Sequence, residues 1–299
     1  MTILTRSLIL HAHAIAREVS ARAVMLYADV VEAGEVIADM IRDVGFRIIL
    51  VSRRTDFEPP EGWGDLCSVV QVPEVPMTRA GQVKVAALVA MVEGLVKAGD
   101  RIVFLTGIQG SNAIDTILVL DLGRELELFR SAVENPLPSD VLPAVFERVL
   151  TLCEELGHEG REGRPVGALF VLGDHERVLS QSRQLVINPF HGYPEDERNV
   201  LDTRLAETIK EFSSLDGSFV VRGDGVLLCA ARYLVSPDKP MPQLPSGLGA
   251  RHEAAAGITA NTDAVAFCVS QSTGAVTLFR SGQLITEIQS ARRRGPTDF

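Results

Sequence analysis

The chain has 299 residues and a mass of 32.4 kDa, and 46% of its residues are hydrophobic while 23% are charged. This length and composition suffice for two domains that each bury a core, and they exclude disordered and collagen-like chains. A net charge of -10 argues against broad binding to nucleic acid, although a local anion site remains compatible with it.

The amino-terminal segment contains no signal-peptide pattern, because Arg17, Glu18 and Arg22 interrupt its apolar run. No later stretch reaches about 18 uninterrupted apolar residues. The sequence therefore predicts a cytoplasmic protein that does not bind a membrane. The 4 cysteines are far apart and form no CxxC pair, so we expect buried thiols rather than a zinc cluster or a disulfide framework.

Short apolar runs alternate with helical patterns from Leu8 to about Leu120. Helices between apolar, β-branched strands are typical of a mostly parallel sheet with both faces covered, so we predict a three-layer α/β domain. The predicted strands are Ala23–Tyr27, Phe46–Val51, Cys67–Val72 and Arg101–Thr106, and the predicted helices are Gly34–Val44 and Gly81–Ala98.

Two prolines in the segment ENPLPSD, residues 134–140, break this pattern. We place the domain boundary there, which gives domains 1–136 and 137–299. An apolar stripe then predicts an amphipathic helix, with Ser139 or Asp140 as its N-cap and Gly157 at its end. The stripe consists of Val141, Val145, Val149, Leu152 and Leu156.

The second domain reads as a mixed-sheet α/β domain with two hairpins, the first turning at Asp224-Gly225 and the second at Thr273-Gly274. Its predicted strands are Pro165–Asp174, Gly217–Val221, Val226–Ala231 and the two segments AVAFCVS and AVTLFRSG, and its predicted helices are His175–Val186, Thr203–Ser213 and Arg251–Thr259.

Three turns are candidate sites. Asp216-Gly217 lies where a helix meets a strand, and such an acid can hold a divalent metal, but it is also an ordinary turn signal. A glycine-rich loop ending at Gly249 leads directly into the helix that carries Arg251. This arrangement could bind a phosphate group, or the loop could be a purely structural turn. The segment GIQGSN, residues 107–112, is a strand-to-helix turn that could bind an anion, but it lacks the Walker lysine and favours a packing role.

With these residues in place, the second domain resembles the diadenylate cyclase (DAC, or DisA_N) family over Pro165–Ile288. The family's Asp-Gly-Ala motif corresponds to Asp216-Gly217-Ser218, and its Arg-His-Arg motif corresponds to Arg251-His252-Glu253. The strand GALFVLG and the segment ARYL, residues 231–234, match in order and spacing. The first domain resembles the C-terminal domain of pyruvate kinase, and this pairing is similar to the architecture of archaeal-type diadenylate cyclases.

The resemblance implies an enzyme that joins two ATP molecules into cyclic di-AMP between two facing protomers, with Mg²⁺ or Mn²⁺ as cofactor. Asp216 would hold the metal and help deprotonate the attacking hydroxyl. The nucleotide-binding residues that the resemblance implies are Gly217 and Ser218 against the ribose and phosphates, Tyr233 and Leu234 on adenine, and Gly249, Ala250, Arg251 and His252 at the triphosphate, with Glu253 at the position of the second arginine.

Three departures from the family pattern leave alternatives open. Glu253 replaces an arginine, Gln271 lies where the family often has a carboxylate, and Ser218 replaces alanine. The leading hypothesis is an active cyclase, and the alternative is a degenerate member that binds ATP or a cyclic dinucleotide without turnover. A third hypothesis, supported by the GIQGSN turn alone, makes the first domain a small-molecule sensor.

Overall fold

The structure is a computed structural model that describes residues 3–31, 45–59, 66–108, 111–122, 137–162, 164–235, 244–245 and 247–289. The chain divides into two compact units, Met1–Glu74 with Arg79–Glu127 and Leu128–Phe299 with Val75–Thr78. The sequence-based boundary at residue 137 stays a prediction, because residues 123–136 lie outside the described part. Within that part, no helix is long and apolar enough to cross a membrane.

The first unit contains a five-stranded sheet in the order β3-β2-β1-β4-β5. Strands β1 to β4 pair in parallel, and β5 pairs antiparallel with β4 at the edge. The mostly parallel sheet expected from the buried, β-branched runs is confirmed. The elements of this unit are α1 Ile3–Glu18, β1 Ala23–Tyr27, β2 Arg47–Ser52, β3 Cys67–Gln71, α2 Arg79–Val92, β4 Arg101–Thr106 and β5 Thr116–Asp121.

Two predictions for the first unit are wrong. The chain after β4 enters strand β5 rather than a helix, so the GIQGSN segment has no helix N-terminus at which an anion could bind. Helix α2 ends at Val92 rather than at Ala98, and Gly94 follows it with a φ of 71°, which breaks the right-handed helix. The predicted helix Gly34–Val44 and residues 109–110 lie outside the described residues.

The second unit contains a seven-stranded mixed sheet in the order β12-β11-β10-β6-β8-β9-β7. Strands β6 and β8 are parallel and the other pairs are antiparallel, and both predicted hairpins are confirmed as β8–β9 and β10–β11. The elements are α3 Pro143–Glu159, β6 Ala168–Leu172, α4 His175–Ser180, β7 Ser182–Gln184, α5 Ala206–Phe212, β8 Ser218–Val221, β9 Leu227–Leu234, α6 Ala250–Asn261, β10 Val265–Val269, β11 Val276–Arg280 and β12 Gln283–Ile288.

The predicted ends of α3 are wrong. Leu142 is the N-cap and makes no side-chain cap hydrogen bond, whereas the Asp140 carboxylate accepts a hydrogen bond from the backbone N–H of Asp174 at 2.8 Å. Gly157 lies inside the helix, where a Cβ atom would overlap the carbonyl oxygen of Gly274 in the β10–β11 turn. The helix ends instead at Glu159, and its C-cap is Gly160, which has a φ of 63°.

The predicted helix His175–Val186 is also wrong in its second half. Helix α4 stops at Ser180, and the next residues form the edge strand β7. Arg183 pairs directly with Tyr233 in β9, which extends to Leu234 and therefore three residues beyond its predicted end at Ala231. This edge strand supplies one wall of the site described next.

Candidate functional site

A cavity of about 480 Å³ opens on the second unit between strand β9, the start of α6 and the segment around β7. Its volume falls in the range of about 300–1,000 Å³ that is usual for small-molecule sites. The lining residues are Leu169, Arg183, Leu185, Asp216, Gly217, Arg232, Tyr233, Leu234, Ala250, Arg251 and Ala254.

The two sequence motifs therefore meet at one cavity, although they are separated along the chain. Of the site residues expected from the sequence, the cavity lining includes Asp216, Gly217, Tyr233, Leu234, Ala250 and Arg251. The other four are Ser218, Gly249, His252 and Glu253, and they do not line it.

Asp216 and Arg251 form an ion pair in the cavity lining. The carboxylate Oδ1 lies 3.7 Å from the guanidinium Nη2, and the two side chains are 95% and 33% exposed, respectively. A Cβ atom at Gly167 would come within 2.8 Å of Nη1 of Arg251, so the glycine before β6 leaves room for the guanidinium. Because Asp216 is almost fully exposed, its carboxylate remains open to a ligand or a metal ion.

Gly217 is required by the packing of the strands. Its φ is 104°, and a Cβ atom there would lie 2.7 Å from the backbone nitrogen of Arg232 and 2.8 Å from the carbonyl carbon of Ala231. The group that approaches the backbone of Gly217 closely is therefore strand β9, whereas the sequence predicted that a ligand would do so. Nothing in this contact conflicts with a nucleotide on the opposite, cavity side.

We expect Gly217→Ala to lower the free energy of unfolding by about 2–4 kcal/mol, because it combines an unfavourable φ with a backbone clash. Urea unfolding followed by circular dichroism measures this change. Gly247→Ala is the matched control, since Gly247 has a φ of 98° but no atom within 4 Å of its Cβ position. That variant should lose only about 1 kcal/mol from the left-handed φ, and equal losses at both positions would contradict the clash argument.

Ser218 and His252 contact the protein interior. The hydroxyl of Ser218 donates a hydrogen bond to the carbonyl oxygen of Arg232 at 2.9 Å. His252 is 7% exposed, its Nε2 lies 3.4 Å from Oγ1 of Thr277, and its ring packs edge-on against Phe279. Burial lowers the pKa of His252, so the imidazole is neutral at pH 7 and brings no positive charge to a phosphate.

The start of α6 is open to an anion. Gly249 is the N-cap residue and has no side chain that could cap the helix; within the part of the chain that the structure describes, no hydrogen bond occupies the backbone N–H groups of Ala250 and Arg251, whereas that of His252 donates to the carbonyl oxygen of Gly249 at 2.9 Å. Glu253 lies on an exposed face of the first turn, where a negative charge is favourable because of the helix dipole. Glu253, which replaces the second arginine of the motif, therefore stabilises helix α6 from a position outside the cavity.

Five residues of the cavity lining were not among the site residues expected from the sequence, and two of them, Arg183 and Arg232, are charged. Arg183 stacks its guanidinium over the ring of Tyr233, with 4.9 Å between Cζ and the ring centroid. Arg232 donates to the Ser182 hydroxyl at 2.8 Å and to the carbonyl oxygen of Leu179 at 3.0 Å, which are both neutral acceptors. Arg183 was hidden because its segment was expected to be helical, but Arg232 lies within the ARYL segment and could have been found there.

Charge and shape together fit a nucleotide. Among the described residues, three arginines, Arg183, Arg232 and Arg251, line the cavity together with one acid, Asp216, so its lining carries a net positive charge that attracts an anion. Leu169, Leu185 and Leu234 add an apolar wall that suits a flat ring. Among the described residues, no group of three or more His, Cys, Asp or Glu side chains forms a metal site.

The fold and this cavity define a nucleotide-binding α/β domain, and comparisons with known proteins agree. Residues 155–284 match the family model described as "DisA bacterial checkpoint controller nucleotide-binding", and residues 4–129 match the model described as "Probable sensor domain DacZ_P".

Two archaeal relatives are described as diadenylate cyclases. The protein of Methanocaldococcus jannaschii is 36% identical over 200 residues, which cover 64% of this chain and 61% of that protein. The protein of Haloferax volcanii is 33% identical over 270 residues, which cover 85% of this chain and 96% of that protein. The chain thus spans less than two thirds of the first relative and nearly all of the second. It belongs to the diadenylate cyclase family.

The solved structures that are similar to this chain include a double mutant of DacA from Staphylococcus aureus. It is 22% identical to this chain, the TM-score is 0.31, and the match covers 49% of this chain and 87% of that chain.

Proposed function

We propose that this protein condenses two ATP molecules into cyclic di-AMP and two pyrophosphates, with two copies of the chain facing each other. The observation that carries the proposal is the cavity in which Asp216 and Arg251, from the two family motifs, lie 3.7 Å apart beside an apolar wall. The archaeal relatives are described as diadenylate cyclases, which supports the same reaction.

The shape of the cavity suggests how one ATP molecule binds. The adenine ring would pack against Tyr233 and Leu234, as the family resemblance implies, with Leu185 completing the apolar wall. The triphosphate would then reach Arg251 and the open backbone N–H groups at the start of α6. A cavity of about 480 Å³ suits one nucleotide, so two nucleotides require two cavities.

Each of the two condensation steps forms a bond between the 3′-oxygen of one nucleotide and the α-phosphorus of the other. The bond from that phosphorus to the bridging oxygen of the β-phosphate breaks, and pyrophosphate leaves with the electron pair. Asp216 would accept the proton of the attacking hydroxyl, and Arg251 would hold the triphosphate in line. Attack on the α-phosphorus of the same nucleotide would give a cyclic mononucleotide, so the cyclic dinucleotide requires two facing nucleotides, and each copy of the chain would supply half of the site.

A divalent cation fits the donor set. Mg²⁺ commonly binds through one or two carboxylates together with substrate phosphates, and the exposed carboxylate of Asp216 provides one such ligand. Mg²⁺ or Mn²⁺ bound there would neutralise the negative charge on the phosphates.

Exposed apolar side chains line the cavity and follow Leu185 along the chain, and they support the facing arrangement. Leu185 and Tyr233 line the cavity, and Ile187, two residues beyond Leu185, is 93% exposed. An apolar surface next to a half-site is a place where a second copy would bury side chains that water now contacts.

The second candidate function is nucleotide binding without turnover, and the replacements at Glu253 and Gln271 favour it. Both residues are exposed and neither lines the cavity. Among the described residues, neither side chain forms a hydrogen bond or an ion pair with Asp216 or Arg251, although Gln271 lies beside Gly167 close to the guanidinium, and this supports the active enzyme over the second candidate.

We expect Glu253→Arg to change kcat/KM for ATP by less than about threefold, because the side chain lies outside the cavity, and to lower stability by about 0.3–1 kcal/mol through the helix dipole. Steady-state kinetics and thermal unfolding measure the two effects. Glu253→Gln is the matched control that removes the charge without reversing it. A gain of tenfold or more in kcat/KM would show instead that this position faces the phosphates.

Incubation of the purified protein with ATP and Mg²⁺ or Mn²⁺, followed by chromatography and mass spectrometry, tests the proposed function. We expect cyclic di-AMP and pyrophosphate, with a rate per protomer that rises with protein concentration until dimers saturate. ATP binding measured by calorimetry without any product would instead support the second candidate. The absence of both binding and product would remove both functions.

A further inference from the structure

The side chain of Arg232 connects strand β9 to the segment that contains the end of α4 and strand β7. Its Nε donates a hydrogen bond to the Ser182 hydroxyl at 2.8 Å, and its Nη1 donates to Oε1 of Gln184 at 3.4 Å. Its Nη2 donates to the carbonyl oxygens of Leu179 at 3.0 Å and Ser182 at 3.3 Å. One side chain of β9 therefore holds both the end of α4 and strand β7.

These hydrogen bonds engage the whole guanidinium group of Arg232. Each of its nitrogens donates, and the acceptors are backbone carbonyl groups, a hydroxyl group and a side-chain amide, which are all neutral. Arg251 differs, because in the described part of the chain its guanidinium has an ion pair with Asp216 at 3.7 Å and no hydrogen bond. Arg251 therefore has donors to offer to phosphate oxygens, whereas the donors of Arg232 are directed at the protein.

Strand β7 is short and is paired on one side. It comprises 3 residues, Ser182–Gln184, and lies at the edge of the sheet beside β9. The side chain of Gln184 adds a hydrogen bond from Nε2 to the carbonyl oxygen of Ala230 in β9 at 2.5 Å. Short edge segments open locally at a low free energy, so the hydrogen bonds from Arg232 to Ser182 and Gln184 contribute much of what keeps β7 in place.

Strand β7 and the residue after it provide one wall of the nucleotide cavity. Arg183 pairs directly with Tyr233, and Leu185 follows the strand. Successive side chains of a strand point to opposite faces of the sheet. Arg183 and Tyr233 therefore lie together on one face, where Cζ of the arginine is 4.9 Å from the ring centroid. Arg232 and Gln184 lie together on the other face, from which Arg232 fixes the position of the strand.

We propose that Arg232 is a positioning residue for the base of the bound nucleotide. It holds β7 in register with β9 and thereby keeps Arg183 and Leu185 beside Tyr233, where the adenine ring would pack. A wall that is already ordered loses less conformational entropy when the base binds. This inference rests on the proposed function, because it requires a nucleotide in the cavity, and it adds a residue that acts on the base through other side chains.

Calorimetric titrations of the full chain with metal-free ATP and with inorganic triphosphate test the proposal. Inorganic triphosphate has no base, so it reports on the phosphate site alone. Arg232→Lys keeps the charge of the cavity lining but lacks the planar donor group that reaches the acceptors on β7 and α4. Because Arg183 and Leu185 would then be ordered only on binding, we expect the Kd for ATP to rise by about fivefold to tenfold. The Kd for inorganic triphosphate should change by less than about twofold, whereas Arg251→Gln should raise the Kd for both ligands.

Hydrogen–deuterium exchange of the nucleotide-free chain provides a second measurement. The backbone amides of residues 182–185 should exchange faster in Arg232→Lys than in the wild-type protein, while those of β10 stay unchanged. Arg198→Gln is the matched control, since Arg198 also donates to carbonyl oxygens, those of Tyr193 at 3.0 Å and Leu227 at 2.7 Å, but does not line the nucleotide cavity. It should leave the Kd for ATP and the exchange of β7 unchanged.

A second variant keeps the test decisive if Arg232→Lys unfolds. Ser182→Ala removes one acceptor of the guanidinium and leaves every charge in place, and it should raise the Kd for ATP about threefold. Unchanged ATP affinity in these variants, or an equal loss of affinity for ATP and for inorganic triphosphate, would overturn this proposal alone. Absence of ATP binding by the wild-type protein would overturn it together with the proposed function.

Discussion

Asp216→Asn should lower kcat for cyclic di-AMP formation by about 10³-fold, because a general base contributes roughly 10²–10⁴-fold and the same carboxylate is the proposed metal ligand. The amide has nearly the same shape but neither accepts the proton nor neutralises a cation. The side chain is 95% exposed, so the thermal unfolding midpoint should stay unchanged. Rates measured by product chromatography and binding measured by calorimetry separate the two effects.

The sign of the change in ATP affinity is a second readout of the same variant. Of the described residues that line the cavity, Asp216 is the one acid and Arg183, Arg232 and Arg251 are the basic ones. Its removal makes the cavity more positive, so metal-free ATP should bind as tightly as before or more tightly. Weaker metal-free binding would indicate that Asp216 positions the nucleotide, and an unchanged kcat would exclude it from the chemistry.

Asp263→Asn is the matched control. Asp263 lies in the same unit, is 85% exposed and does not line the nucleotide cavity. Both variants remove one surface carboxylate, so a general effect of net charge would appear equally in both. We expect Asp263→Asn to keep kcat within twofold.

The sequence alone was sufficient to locate the two motifs that meet at the cavity, because local signals mark both. An Asp-Gly pair predicts a turn before β8, and a glycine-rich segment before a helical pattern predicts the start of α6. The proximity of these two segments, by contrast, results from strand pairings between residues that are distant in sequence, and local signals do not reveal such pairings. The family resemblance supplied that proximity, and the 3.7 Å separation of Asp216 and Arg251 agrees with it.

The features that were missed depend on tertiary contacts. A three-residue strand such as β7 is too short for alternation to be recognised, and it forms because β9 offers an open edge to Arg183. Gly157 looked like a helix end, yet its small size serves a close contact with the β10–β11 turn. The burial of His252 against β11 was likewise invisible, because its neighbours in sequence suggested a helix start open to phosphate.

Arg251→Gln should lower kcat/KM for ATP by about 100-fold, which corresponds to about 2.7 kcal/mol and matches the loss of a charge-assisted hydrogen bond to phosphate. The loss should appear mainly as weaker ATP binding if, as proposed, the guanidinium contacts the triphosphate before and during the reaction. Steady-state kinetics over a range of ATP concentrations separates KM from kcat. Arg251→Lys keeps the charge but not the paired donors, so it should recover part of the loss.

Arg177→Gln is the matched control for Arg251→Gln, because Arg177 is a partly exposed arginine of the same unit that does not line the nucleotide cavity. It should leave KM within twofold. The two cavity variants should therefore change different kinetic constants. We expect loss of Asp216 to lower kcat while ATP still binds, and loss of Arg251 to raise KM. A fall in kcat alone for Arg251→Gln would mean that the guanidinium acts only on the transition state, and no change in either constant would remove it from the site.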